Sequence, residues 1–279
     1  MKSIAILITV FNRKAKTLNC LRSIKAQEGL FGYEHEIFVV DGGSWDGTPE
    51  AIRQTAPDVH VSIHEGLFWA GGMRQAWKEA NATGKSYDYY WLINDDTDLN
   101  PKCLYSLLHA EREHPNGIYI GATYDAGTKS CSYGGIKLFD RNYSKGNRVV
   151  PNGKCQEVDM GNANIMLISR SAYDRLGTFC IRYTHGIADY DYTLRAIDMN
   201  IPVVLAPNYC GECTDDHGNN WMPQSKSLKE RIEYLYSPKG LAYSEYLYWI
   251  KTFFPKEYHK AKIKLWAKTL FPIIWEKLK

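Results

Sequence analysis

The densest chemistry in this chain is acidic. Asn94-Asp95-Asp96-Thr97-Asp98 closes an apolar segment. Three carboxylates within four residues repel one another, and crowding them costs free energy unless a cation neutralises them. Hard divalent ions with oxygen ligands suit such a cluster. Mg²⁺ in particular binds through one or two carboxylates together with substrate phosphates. The competing reading is a solvated loop whose acids favour the N-terminus of the next helix. Asp189 and Asp191 stand at the start of another helical segment. Charge at the positive end of a helix is a structural reason for them, and general-base catalysis is the functional one.

Other site signatures drop out. Gly84-Lys85-Ser86 lacks the earlier glycine of a phosphate loop, whose place is taken by Glu79, and no Gly-x-Gly-x-x-Gly occurs. Asp96 opens a stretch that begins like an EF-hand, but Pro101 and Leu107 stand where Gly and Glu are needed. Cys210-Gly211-Glu212-Cys213 is a lone pair without a second one, which does not make a zinc site. Asn81-Ala82-Thr83 and Asn142-Tyr143-Ser144 fit glycosylation sequons that a cytosolic chain would not use.

The acids need a frame. Ser3 to Val10 is a continuous β-branched run, as expected of a buried parallel strand. A helical spacing follows over 14–27, then strands over 36–40, 59–63 and 87–93. Helices are predicted between them, one over 71–82 and another opened by Thr48 as N-cap with Pro49 behind it. Asn100-Pro101 opens the next helix in the same way. Four strand–helix alternations in the first 115 residues predict an open, mainly parallel sheet with helices on both faces. In such sheets ligands bind beyond the carboxyl ends of the strands. The polar loops 9–13, 41–44 and 94–98 should therefore converge on one site. The second half reads as short extended pieces within 117–169, helices at 170–176 and 187–199, a strand at 202–206 and one helix over 226–250. The expected division is a domain over 1–225 with a helical, basic and aromatic appendage over 226–279.

Composition agrees with a soluble globular protein: 279 residues, 44% hydrophobic and 23% charged. Disordered and fibrous classes are excluded. Mean hydropathy is −0.40 and no stretch of about 18 apolar residues occurs, so no membrane-spanning helix is expected. The opening Met1-Lys2-Ser3-Ile4 does not read as a signal peptide. The seven cysteines are irregularly spaced, which fits a reducing compartment better than a disulfide framework. Residues 245–279 hold eight Lys against three Glu and nine of the 37 aromatics; the remaining residues hold 26 basic and 28 acidic side chains. Ile263, Trp266, Ala267 and Leu270 share one helical face there, and Lys260, Lys264 and Lys268 the adjacent one. This pattern fits a helix lying on an anionic membrane surface, or one docked on the body with solvated lysines. No nucleic-acid partner is expected.

Six segments, in order, resemble the family 2 glycosyltransferases of GT-A fold, particularly bacterial enzymes that assemble surface polysaccharides. They are Ile8 to Arg13, Val39 to Thr48, Leu67 to Arg74, Trp91 to Asp98, Gly161 to Arg170 and His185 to Asp191, and the likeness covers roughly residues 3–217. The resemblance implies a metal-dependent, inverting transfer of a sugar from a UDP- or dTDP-sugar to a hydroxyl of a glycan or lipid-linked acceptor. It places Asp96 and Asp98 in the family's Asp-x-Asp motif, with Asp98 on Mg²⁺ or Mn²⁺ and Asp96 near the ribose or the metal. Asp95 then stands beside the donor. Thr9, Phe11, Asn12 and Arg13 match the first nucleotide loop and Asp41 the acid on the base. Gly71, Gly72 and Arg74 match the segment against nucleotide and diphosphate. Asp189 matches the usual base, and His217 a further metal ligand found in some relatives. Two departures stand out: Ala188 replaces the Glu of a Glu-Asp pair, which makes Asp191 a competitor as base, and Gly42 replaces an acid or amide. The implied location is cytoplasmic, including the inner face of the plasma membrane. Two other readings stay open. A nucleotidyltransferase would normally carry a Gly-rich basic loop after its first strand, and the loop from Thr9 to Arg13 has no Gly. A catalytically inactive sugar-nucleotide or glycan-binding module is kept in play by Ala188.

Overall fold

The computed structural model describes residues 1–215, 218 and 220–277. The alternation appears as β1 (Ser3–Val10), α1 (Lys14–Lys25), β2 (Glu34–Asp41), α2 (Thr48–Thr55), β3 (His60–Ile63), α3 (Trp69–Ala82) and β4 (Tyr89–Ile93). The two-residue β5 (Asp98–Leu99), α4 (Cys103–Glu113) and β6 (Ile118–Asp125) follow. Five short strands come next: β7 (Ser130–Tyr133), β8 (Gly135–Leu138), β9 (Gly146–Val149), β10 (Gln156–Glu157) and β11 (Met160–Gly161). Then come β12 (Ile165–Ser169), α5 (Arg170–Leu176), α6 (Ala188–Asp198) and β13 (Val203–Glu212). The chain closes with α7 (Leu228–Tyr236), α8 (Tyr243–Phe253), α9 (Tyr258–Leu270) and α10 (Ile273–Lys277).

The main sheet runs β10-β13-β6-β12-β4-β1-β2-β3. β1 pairs in parallel with β2 and β4, and β2 with β3, whereas β12 is antiparallel to both β4 and β6. The sheet is therefore mixed and mainly parallel. Its central strands are buried on both faces, which is why they read as unbroken apolar runs. The register sets Val10 opposite Asp41 and Leu7 opposite Leu92. The ends of β1, β2 and β4 thereby open side by side. β8, β9 and β11 form a small second sheet.

Three local readings change. At α2, the cap is supplied by Asp46, whose Oδ1 accepts from the Thr48 amide at 3.0 Å and from its hydroxyl; Gly47 turns the chain at φ +78° and Thr48 is already helical. The helix expected over 226–250 is two helices, broken where Pro238 removes a donor and Gly240 lies against Tyr234. On α9 the inward face carries Ala261, Leu265, Lys268 and Thr269 rather than Ile263 and Leu270. Lys268 is not solvated: its Nζ donates to Asn220 Oδ1 at 2.7 Å, and burial pulls its pKa down to about 8. Ile263 and Leu270 are exposed, together with Phe271, Ile273 and Ile274. No helix among the described residues is long and apolar enough to cross a membrane.

Candidate active site

A cleft opens beyond the carboxyl ends of β1, β2 and β4. It consists of two adjoining hollows of about 280 and 250 Å³. Arg13, Trp69, Asp95 and His185 line both and stand between them. One hollow continues over Thr9, Phe11, Gly42, Leu67, Phe68 and Lys239. The other continues over Asn94, Asp96, Tyr133, Asn162, Asn164, Asp189 and Tyr190.

The first hollow is built by loops stitched across strand ends. Asp41 is fully buried; its Oδ1 accepts from the amides of Gly43 at 2.8 Å and Ser44 at 2.6 Å. Its Oδ2 is buried with no hydrogen-bond partner among the described residues, an acceptor that folding leaves unmet. Asn12, at φ +51°, donates its backbone amide to Ser44 Oγ at 2.7 Å, and its Oδ1 accepts from the Trp45 amide at 2.9 Å. Asn12 thus holds two loops together and does not line the hollow. Phe11 meets the exposed Trp45 edge-on at 5.2 Å between ring centres.

Gly72 sits under Thr9: a Cβ there would lie 2.1 Å from Thr9 Oγ1. Gly71 faces Leu67. Neither glycine lines the hollows; Gly72 lets the start of α3 approach the end of β1. Arg74 lies outside them too. Its Nη1 donates to the carbonyls of Cys180 at 3.1 Å and Tyr183 at 2.8 Å, tying α3 to the loop before α6.

The acids divide. Arg13 Nη1 reaches Asp95 Oδ1 at 3.3 Å and Asp96 Oδ2 at 2.5 Å. Asp95 is buried, accepts from Thr17 Oγ1 at 3.2 Å, and has its pKa pushed up to about 7, chiefly by desolvation and further by the charge of Asp96. Asp98 turns away: it is exposed in a shallow hollow beside Lys16, Asn19 and Arg22 on α1. The acids that face the cleft are therefore Asp95 and Asp96. His217 lies outside the described residues.

Asp189 and Asp191 divide as well, because residues two apart on a helix point to different sides. Asp191 is buried inside the protein, where Oδ2 accepts from Arg195 Nε at 2.8 Å and Oδ1 from the Tyr183 hydroxyl at 3.1 Å. Asp189 lines the same hollow as Asp96. Its oxygens accept from the amides of Tyr190 at 2.9 Å and Ala163 at 3.2 Å. Desolvation outweighs these bonds and raises its pKa above the ordinary carboxylate range. The preceding Ile187 has φ +69°, a strained setting for a β-branched residue, and it lines the same hollow.

The sequence reading did not assign several lining side chains. Trp69 Nε1 donates to Asn94 Oδ1 at 2.8 Å, fixing the amide beside the acidic loop. Asn162 Nδ2 donates to the Tyr190 hydroxyl at 3.1 Å. Trp69, Asn162, Asn164 and His185 belong to segments already singled out, so their order in the chain was a signal. Lys239 carried none, because only tertiary packing brings it to the cleft.

The family model for glycosyl transferase family 2 matches residues 5–177, well over half of the chain. This chain belongs to glycosyl transferase family 2. Solved structures agree on the fold of this chain. A mannosyltransferase from Pyrobaculum calidifontis, in complex with GDP-Man and Mn²⁺, aligns with a TM-score of 0.53 at 16% identity over 83% of this chain and 60% of that one. TarS 1–349 of S. aureus, in complex with UDP-GlcNAc, aligns with a TM-score of 0.55 at 14% identity over 78% and 60%. The chain thus spans about 60% of the length of these structural relatives. No curated protein matches it in sequence.

Proposed function

We propose that this glycosyltransferase moves a sugar, with inversion, from a nucleoside diphosphate sugar to a hydroxyl of a glycan or lipid-linked acceptor, in the assembly of a surface polysaccharide. One observation carries the reading: a carboxylate of raised proton affinity, Asp189, lines the same hollow as Asp95 and Asp96, acids that suit a cation. The neighbouring hollow suits a nucleoside. Phe11 and Phe68 line it with apolar faces, and buried Asp41, outside the lining itself, fixes the turn at Gly43 and Ser44 behind Gly42. Two structural relatives were solved in complex with GDP-Man and UDP-GlcNAc, which supports a nucleotide-sugar donor.

The reaction forms a bond from the acceptor oxygen to the anomeric carbon and breaks the bond from that carbon to the phosphate oxygen. Asp189 takes the proton of the attacking hydroxyl, which is a poor nucleophile while it keeps it. The donor set fits Mg²⁺ or Mn²⁺: Asp96, with Asp95 beside it, would hold the ion, since two crowded carboxylates now share one arginine. Such an ion would neutralise charge on the leaving diphosphate. Buried Asp191 and outward-facing Asp98 are left out of this assignment, and Arg74 acts through the loop it holds.

The exposed apolar end of the chain, Ile263 with Phe271 and Ile274 among the lysines of 245–279, supports an anionic lipid surface as the acceptor's setting. A melting-temperature screen of UDP-, dTDP- and GDP-sugars, with and without Mn²⁺, tests the main reading. A donor raises the melting temperature by mass action, and more so with metal. A melting temperature unmoved by every nucleotide sugar would refute it.

A further inference from the structure

Accepting the nucleotide reading of the cleft, we infer that Lys239, from the C-terminal helices, is a phosphate-binding residue of the donor site. The Ser237–Ala242 turn between α7 and α8 brings it there. Gly240 N donates to Ser237 O at 2.9 Å, Leu241 N to Tyr234 O at 3.0 Å and Ala242 N to Ser237 O at 3.1 Å. The turn is so tight that a Cβ on Gly240 would lie 2.0 Å from Tyr234 O. Pro238, with its fixed φ, leads into Lys239. The backbone that carries this lysine is set before any ligand arrives.

The side chain runs to the nucleotide hollow. Its Nζ lies 5.5 Å from the ring centre of Phe11 and 6.0 Å from that of Phe68, both of which line the hollow. Aromatic faces hold an exposed ammonium only weakly, and a charge-assisted hydrogen bond to a phosphate oxygen is stronger. The lysine can therefore leave the rings for an anion without losing a stronger partner.

The charge inventory singles out the same residue. A nucleoside diphosphate is strongly anionic, and the walls it would enter carry Asp95 as well as cations. Arg13 is shared by Asp95 and Asp96, and Arg74 is spent on two carbonyls outside the hollow. Lys239 has no carboxylate partner among the described residues. Its long stem and three rotatable donors suit a phosphate whose exact position shifts with the sugar attached.

The test is calorimetry on the full chain with Mn²⁺, using UDP, dTDP and GDP and then the nucleoside matching the tightest of them. Lys239→Gln should weaken the diphosphate by about tenfold, the worth of one charge-assisted hydrogen bond, and leave the nucleoside unchanged. Lys239→Arg should recover most of the affinity, and the wild type should show the steeper loss of affinity with salt. Lys239→Met, which keeps the stem over the two rings, should behave as Lys239→Gln with an unaltered melting temperature. Diphosphate binding within twofold of wild type in both neutral variants overturns the assignment. So does an equal loss for nucleoside and diphosphate, which would place the lysine on the base. A wild type that binds none of the three diphosphates instead overturns the nucleotide reading, and this assignment falls with it.

Discussion

The two aspartates at the head of α6 differ by two positions and by almost everything else. Asp189 looks into the cleft with desolvation holding its pKa above the ordinary carboxylate range, while Asp191 is sealed between Arg195 and Tyr183. Substituting each by Asn separates chemistry from architecture. Asp189→Asn should keep the melting temperature and lose about 10²–10⁴ in kcat, the usual worth of a general base. Asp191→Asn should lose roughly 1–3 kcal/mol of stability in denaturant titration, because it weakens hydrogen bonds to a charged, buried acceptor. The pH profile follows from the sign of the shift. A base works when deprotonated, so turnover falls as pH drops through its pKa. A raised pKa places that acid limb above where a solvated aspartate would put it. A limb in the ordinary carboxylate range would assign the proton transfer to another group.

At the scale of elements, α3 meets β1 at Gly72, and magnitudes decide what the glycine is for. Glycine inside a helix costs about 0.5–1 kcal/mol relative to alanine. Adding a methyl to a packed contact costs about 1–3 kcal/mol. At Gly72 the methyl would meet Thr9 Oγ1 at 2.1 Å and Thr9 Cβ at 2.8 Å, so the clash wins. At Gly71 the nearest atom is the far end of Leu67, at 3.3 Å, and the helix gain can win. Gly72→Ala should therefore lower the melting temperature and weaken nucleotide binding by moving Thr9. Gly71→Ala should leave the melting temperature unchanged or raise it. Equal effects from the two substitutions would exclude this packing account. The same contrast shows what was legible beforehand. The strand–helix alternation, the convergence of the loops after β1, β2 and β4, and the acidic clusters all follow from local pattern. Which acid of each cluster faces the cleft does not. Asp98 against Asp96 depends on a two-residue strand pairing with β13, and Asp191 against Asp189 on which side of α6 is covered. The contact of Gly72 with Thr9 and the break between α7 and α8 are likewise tertiary facts.

The whole molecule answers the question posed by the basic C-terminal segment. Leu235, Leu247, Trp249, Ile250 and Phe254 belong to the same buried cluster as Leu7 and Val40 of the sheet and Met73 and Trp77 of α3. Glu245 accepts from the Thr184 amide at 3.0 Å, and the ring of Tyr190 lies 6.4 Å from that of Trp249. The C-terminal helices thus brace the segment that carries Asp189 and deliver Lys239 to the adjoining hollow. Burial of each of these five side chains stabilises by about 2 kcal/mol, so together they reach about 10 kcal/mol. The net stability of a domain is only about 5–15 kcal/mol. A chain cut at residue 225 should therefore fail to fold, aggregating or binding a hydrophobic dye. A chain cut after Pro272 removes α10, which has no buried residues and whose Glu276 makes only an exposed hydrogen bond to the Gln224 amide, and should melt close to the full protein. The full chain should show one cooperative transition. A soluble fragment 1–225 with an intact melt, or two separate transitions in the full chain, would make the C-terminal helices a dispensable appendage and leave the brace on Asp189 without support.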